Sequence, residues 1–329
     1  MSINRRVLLQ AGAAMGLAPG LVPLLRAQET NWPQAPVKVI VPFSAGGAAD
    51  TLTRRLAERL QQRWNQPWAV DNRTGAGGNI GMEAVKSSPA DGYTIGSATI
   101  GTLTINQFLY AKLPYDPVAD FAYVSKIWEN CNVFVVPPEH PANSVKEFIE
   151  WARRKPEGVT YGSAGVGTTP HLSGALFGNR TGLQALHVPF RGAAQSMPAL
   201  MGGQVDFAID NIASYMPLIR ANKVKALAIT MGERWPTLQE VPTMAEAGVP
   251  DFIITSWGAF VVPKATPAAV VNKLSMAIQE LSREPATREQ WLQAGSLAVS
   301  STPAETAAFA ERERAKWREV VRISGAKVE

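Results

Sequence analysis

Residues 37–64 read VKVIVPFSAGGAADTLTRRLAERLQQRW: an apolar run, a Ser/Gly loop, then a helical pattern. VKVIVPF shows no polar/apolar alternation, as expected of a strand buried on both faces. Leu52, Leu56 and Leu60 then recur at i, i+4 and i+8, on one face of an amphipathic helix. Strand, Gly-rich loop and helix in that order form one unit of a parallel sheet covered by helices. The unit recurs. WAVDNRTGAGGNIG (68–81) reads as a short strand and a Gly-rich turn, with a helix over MEAVKSS and a strand over YTIGSATI (93–100). Next come a strand CNVFVVP (131–137), a helix SVKEFIEWARRKP (144–156) with Ser144 as N-cap, a strand VTYGSAG (159–165) and a helix HLSGALFGNRTG. ALHVPF, AAQSMPALMGGQVDFAIDN, KVKALAITM (223–231) and FIITSWGAFVVP (252–263) extend the alternation, and two helices, PAAVVNKLSMAIQELSRE and PAETAAFAERERAKWREVV, follow. There are more strands than one compact α/β domain usually holds, and 126–132 and 252–258 are natural crossing points. The expected organisation is one lobe from residues 31–128 plus 255–329, with 129–254 inserted as the second.

The chain has 329 residues, 46% of them hydrophobic and 18% charged, an ordinary globular composition. MSINRRVLLQAGAAMGLAPGLVPLLRAQ places Arg5 and Arg6 before an apolar stretch and Ala27 after Arg26. That is the layout of an export signal over residues 1–27, and the adjacent arginines point to the twin-arginine route. The apolar stretch falls short of the ~20 residues a membrane span needs. The net charge is +5; residues 1–27 contribute three arginines and no acid, so the remainder stands at +2. Such a balance gives no argument for nucleic acid. Cys131 is the single cysteine and has no disulfide partner within the chain; VFVVP after it marks it as a small buried hydrophobe. His140, His171 and His187 stand apart without HExxH or cysteine neighbours, so no metal site is expected.

No GxSxG elbow and no GxxxxGK[ST] loop occurs, and GAGGNIG (75–81) has Ile80 where a dinucleotide fingerprint needs its third glycine. What recurs is a Gly-rich loop between a strand and a helix: SAGGA (44–48) in one lobe and GVGTTP (165–170) in the other. In open α/β sheets ligands sit at the carboxyl ends of strands. Free amides at helix N-termini favour an anion there. Two such loops facing each other would hold a small carboxylate with no arginine; on spacing alone they are equally two tight connections. Asp50, in the first helical turn, would repel an anion beside it and is read as bracing the loop. Arg191 in HVPFRGAA either pairs with a second ligand carboxylate or is solvated. Asp206 and Asp210 either accept from a ligand amine or cap strand ends.

Together, PFSAGGAAD, DNRTGAGGNIG, PADGYTI, LPYDPVADF, YGSAGVGTTPHLSGALF, HVPFRGAA, LMGGQVDFAIDN and VPTMAEAGVPDF resemble the Bug (TctC-like) periplasmic solute-binding proteins of tripartite tricarboxylate transporters, from about residue 36 to the C-terminus. The resemblance implies a two-lobed α/β periplasmic binding protein of the type II, flytrap kind, with the ligand cleft between two sheet-and-helix domains. It implies that a ligand carboxylate is held between one loop from each lobe, mainly by backbone amides and water. Carried onto this chain, the first loop is Phe43, Ser44, Ala45, Gly46, Gly47 and Asp50. The second is Ser163, Gly165, Val166, Gly167, Thr168, Thr169 and His171, with Val166 where many relatives have a polar residue. Arg191 and Asp210 complete the expected ligand-binding set. No catalytic residue and no cofactor is expected. The expected partners are a small organic acid or amino acid and the permease subunits of such a transporter, the protein being a periplasmic monomer. A receptor feeding a two-component sensor kinase is the alternative; a hydrolase is a more distant one.

Overall fold

The computed structural model describes residues 31–324 and Ala326; the expected export signal at 1–27 lies outside the described residues. The first part of the chain forms β1 (Val37–Val41), α1 (Ala48–Trp64), β2 (Trp68–Asn72), α2 (Asn79–Lys86), β3 (Thr94–Thr99), the short α3 (Asn106–Leu109) and the long β4 (Phe121–Val136). The middle part adds α4 (Val145–Ala152), β5 (Val159–Ser163), α5 (Thr169–Thr181), β6 (Ala185–Pro189), α6 (Ala193–Met201), β7 (Phe207–Asn211), α7 (Ile212–Arg220) and β8 (Lys225–Ile229). The chain then returns through β9 (Thr255–Pro263), α8 (Ala268–Arg283), α9 (Pro285–Gln293), β10 (Leu297–Ala298) and α10 (Pro303–Ser324). Among the described residues no helix is long and apolar enough to cross a membrane.

The sheet runs β2-β1-β3-β9-β4-β7-β5-β6, with β8 and β10 also paired to β4. Strand β4 is the spine. Its first part, Phe121 to Cys131, pairs with β9; from Asn132 onward it pairs instead with β7 and β8. One continuous strand thus belongs to a β2-β1-β3-β9 array at one end and a β7-β5-β6 array at the other, the two-lobed α/β architecture. β1 is parallel to β2 and β3, and β5 to β6 and β7, while β9 runs antiparallel to β3. The sequence reading began this strand at Cys131, ten residues late. FAYVSKIWEN carries Lys126 and Glu129, which pair with each other at 2.7 Å on the strand and disguise an otherwise buried run.

Burial follows the apolar pattern. Val37, Val39 and Val41 of β1 pack into one cluster with Leu52, Leu56 and Leu60, while Ile40 joins another on the opposite face. In the second part of β4, Cys131, Val133 and Val135 face one cluster and Phe134 and Val136 the other. Burial pushes the Cys131 thiol up to about 12, so it behaves as a hydrophobe.

The loop between β5 and α5 is held from behind by two stacked histidines. The His171 and His187 rings lie 4.1 Å apart, with Tyr161 stacked on the far side of His187 at 5.0 Å. His187 Nε2 is 2.6 Å from Ser163 Oγ, which also accepts from the Gly165 N–H, and His171 Nδ1 accepts from the Gly167 N–H at 3.3 Å. Burial pushes His171 down to about 4 and His187 down to about 3, the latter helped by its histidine neighbour. Both are neutral in the folded protein, whereas in the unfolded chain they take up protons below about pH 6.5. Their contribution to stability is therefore full above pH 6.5 and is lost as the pH falls toward 4. Between pH 6.5 and 4 the melting temperature of the wild type should fall more steeply than that of His187→Gln. Parallel curves for the two proteins would show that the pair does not brace the loop as neutral rings.

Candidate functional site

β1 and β3 run toward the middle of β4 from one end and β5, β6 and β7 from the other, so the carboxyl-end loops of the two arrays face each other, and between them lies a cavity of about 50 Å³. One wall is Phe43, Gly47, Ala48 and Ala49, the end of the first Gly-rich loop and the first turn of α1. Facing it are Ala164, Thr168, Thr169 and Pro170, from the second loop and the start of α5. Ala193 at the start of α6, and Asn211 and Ser214 at the start of α7, close a third side. Thr99 at the end of β3, Ile100 and Gly101 just after it, Trp128 and Ser256 from the two crossing strands, and Asp210 of β7 form the rest.

Four helices therefore point their first turns at one small space. First-turn N–H groups have no acceptor within their own helix, and each helix carries about half a positive charge at that end. Among the described residues no lysine, arginine or histidine lines the cavity, and Asp210 is its one ionisable side chain. The chemistry on offer is anion binding by backbone amides.

The two lobes touch around this cavity. The Ala48 N–H donates to Ser214 Oγ at 2.9 Å, joining α1 to α7. A methyl group on Gly192 would lie 2.0 Å from Ser44 Oγ, so the two loops meet there with no space for a side chain. A methyl on Gly77 would lie 2.2 Å from the Val166 carbonyl oxygen and 2.6 Å from the Tyr110 hydroxyl. Gly77 also has φ +62°, which a side-chain-bearing residue adopts only with strain. The arrangement is closed.

Outside the cavity, sharing Phe43 and Ala164 with it, opens a chamber of about 380 Å³. Gly75, Ala76, Gly77, Gly78 and Tyr110 line one side, and Gly165, Val166, Pro189, Phe190, Arg191 and Gln195 the other. Arg191 is exposed here and has no ion-pair partner among the described residues.

The expected site residues separate by where the fold puts them. Phe43, Gly47, Thr168, Thr169 and Asp210 border the cavity; Gly165, Val166 and Arg191 border the outer chamber. Ser44, Gly167, Ser163 and His171 support the loops from behind or across the lobe contact. Ala45 and Gly46 are exposed and line neither space. Asp50 is buried, and its carboxylate accepts from the Gly46 N–H, Arg54 and Asn72, so it holds the first loop in shape. Asp206 is engaged by Lys155 at 2.8 Å and the Thr160 N–H, away from both spaces. Sequence reading missed Thr99, Trp128, Ser214 and Ser256, which lie in no motif. It also took the GAGG turn, now seen to wall the outer chamber, as a plain connection.

Comparison with known proteins agrees with this architecture. The family model described as "Tripartite tricarboxylate transporter family receptor" (TctC) matches residues 52–325. Protein BugT of Bordetella pertussis is 34% identical over 299 residues, covering 91% of this chain and 92% of BugT. Among solved structures, R. palustris Rpa4515 with adipate superposes with a TM-score of 0.89 at 35% identity, covering 91% of this chain and all of that one. MatC from Rhodopseudomonas palustris with bound malate superposes with a TM-score of 0.83 at 30% identity, covering 88% of this chain and all of MatC. This chain belongs to the tripartite tricarboxylate transporter receptors, the TctC and Bug family of solute-binding proteins.

Proposed function

We propose that this protein captures a small carboxylate-bearing solute in the periplasm and delivers it to the membrane permease of a tripartite tricarboxylate-type transporter. Residues 31–128 with 255–329 act as one lobe and 129–254 as the other, closing on the solute. The observation that carries this reading is the convergence of the first turns of α1, α5, α6 and α7 on a cavity that no cationic side chain lines among the described residues. A carboxylate there meets free N–H donors and the positive ends of helix dipoles, and gains from the low-dielectric surroundings. Two similar proteins hold adipate and malate, both carboxylic acids, which supports the same solute class here. The N-terminal export pattern supports the periplasmic location, and the task requires binding and release without chemistry.

The protein, stripped of bound solute, should be screened by thermal shift against small carboxylic acids and their primary amides. An acid at 100 times its dissociation constant should stabilise the fold by about 2.7 kcal/mol, while its amide should leave the melting temperature unmoved. Equal stabilisation by acid and amide would contradict anion capture. Gly77→Ala places a methyl against the Val166 carbonyl and should obstruct closure. Its affinity for the same acid should fall by about tenfold or more, equivalent to about 1.4 kcal/mol, in a protein that still melts cooperatively. Unchanged affinity in the folded variant would remove lobe closure from the account.

A further inference from the structure

We infer that the cavity selects a solute bearing, next to its carboxylate, a hydrogen-bond donor that meets Asp210: a 2-amino or 2-hydroxy acid in preference to a plain acid. The inference rests on the reading that the solute's carboxylate enters this cavity. Asp210 is the penultimate residue of β7, is 1% exposed, and is the one ionisable side chain on the cavity wall among the described residues. Its Oδ1 accepts the Asn211 N–H at 2.6 Å, but its Oδ2 is buried with no hydrogen-bond partner among the described residues. Buried carboxylate oxygens are normally hydrogen-bonded, and Asp206, four residues earlier, shows the ordinary outcome with Lys155 and Thr160.

None of the polar neighbours of Asp210 among the described residues reaches Oδ2 with a hydrogen bond. The Asn211 amide donates to Asn132 Oδ1 and Thr169 Oγ1, and Ser214 Oγ accepts from the Ala48 N–H. The Tyr215 hydroxyl, also buried, turns toward Ser196 and feels the charge of Asp210. The wall therefore presents two unlike demands. The helix N-termini call for an anion; Asp210 Oδ2 calls for a donor. In a space of about 50 Å³ one compact head group has to answer both, so the donor sits on the carbon beside the carboxylate. The remainder of the solute extends into the 380 Å³ chamber. Burial alone pushes the Asp210 carboxyl up to about 7. An ammonium beside it would restore the charged form.

The test is calorimetric titration of the solute-free protein with four probes of one chain length: hexanoate, 2-hydroxyhexanoate, 2-aminohexanoate and 2-aminohexanamide. The 2-amino and 2-hydroxy acids should bind at least tenfold more tightly than hexanoate, and the amide should not bind. In Asp210→Asn the ratio of 2-aminohexanoate to hexanoate affinity should fall toward one. Hexanoate binding as tightly as its substituted analogues in the wild type would overturn the inference, and this comparison stands even where the variant does not fold. An unchanged ratio in a folded Asp210→Asn would overturn it too. Binding of the amide would instead overturn the underlying carboxylate reading, and binding of none of the four would overturn both.

Discussion

Everything in this molecule is arranged around backbone N–H groups that the helices cannot satisfy themselves. Four helices start at the rim of one cavity, and in each the first-turn donors lack an intrahelical acceptor. Side-chain caps take up only part of that capacity: Thr168 caps α5, and Ser214 receives Ala48 of α1, but Gly47 and Gly192 offer no side chain. The remaining donors define a fixed patch of positive potential inside a largely apolar shell. An anion held this way meets donors already oriented, so little ordering accompanies its capture. A lysine in their place would bring a flexible charge that must itself be ordered.

The rest of the fold keeps those donors in place while permitting two lobes. Strand β4 runs through both arrays and changes partners between Cys131 and Asn132, so the lobes share a single spine. Asp50 ties the first loop to Arg54 and Asn72, and the stacked histidines tie the second to β6. At the line where the lobes meet, Gly77 and Gly192 let carbonyl and hydroxyl groups come within contact of the opposing backbone. Rigid loops and a bare meeting line are what a closing pair of lobes requires.

Much of this was readable from the residues. The unbroken VKVIV run and the Leu52, Leu56, Leu60 spacing identify a two-face-buried strand and its covering helix, because burial on both faces leaves no room for polar alternation. Ser144 gives the start of α4, capping Glu147 N–H as its position implies. The pairing of two Gly-rich loops was legible because glycine at strand ends is a local signal. What stayed hidden depends on tertiary placement. The first half of β4 was masked by the Lys126–Glu129 pair, and the stretch that forms α7, with Pro217 inside it, drew no assignment. Trp128, Ser214 and Ser256 reach the cavity only through the crossing of β4 and β9 and the packing of α1 on α7, and nothing in their own neighbourhood announces it. Ala45 and Gly46 show the converse: membership of a motif did not bring them to the cavity wall.

The most direct measurement is a crystal structure of the protein with the acid that stabilises it most. The account predicts a carboxylate inside the inner cavity, its oxygens about 2.7–3.2 Å from first-turn N–H groups of α1 and α5. A carboxylate paired instead with the Arg191 guanidinium in the outer chamber, with the apolar part of the solute filling the inner cavity, would contradict it.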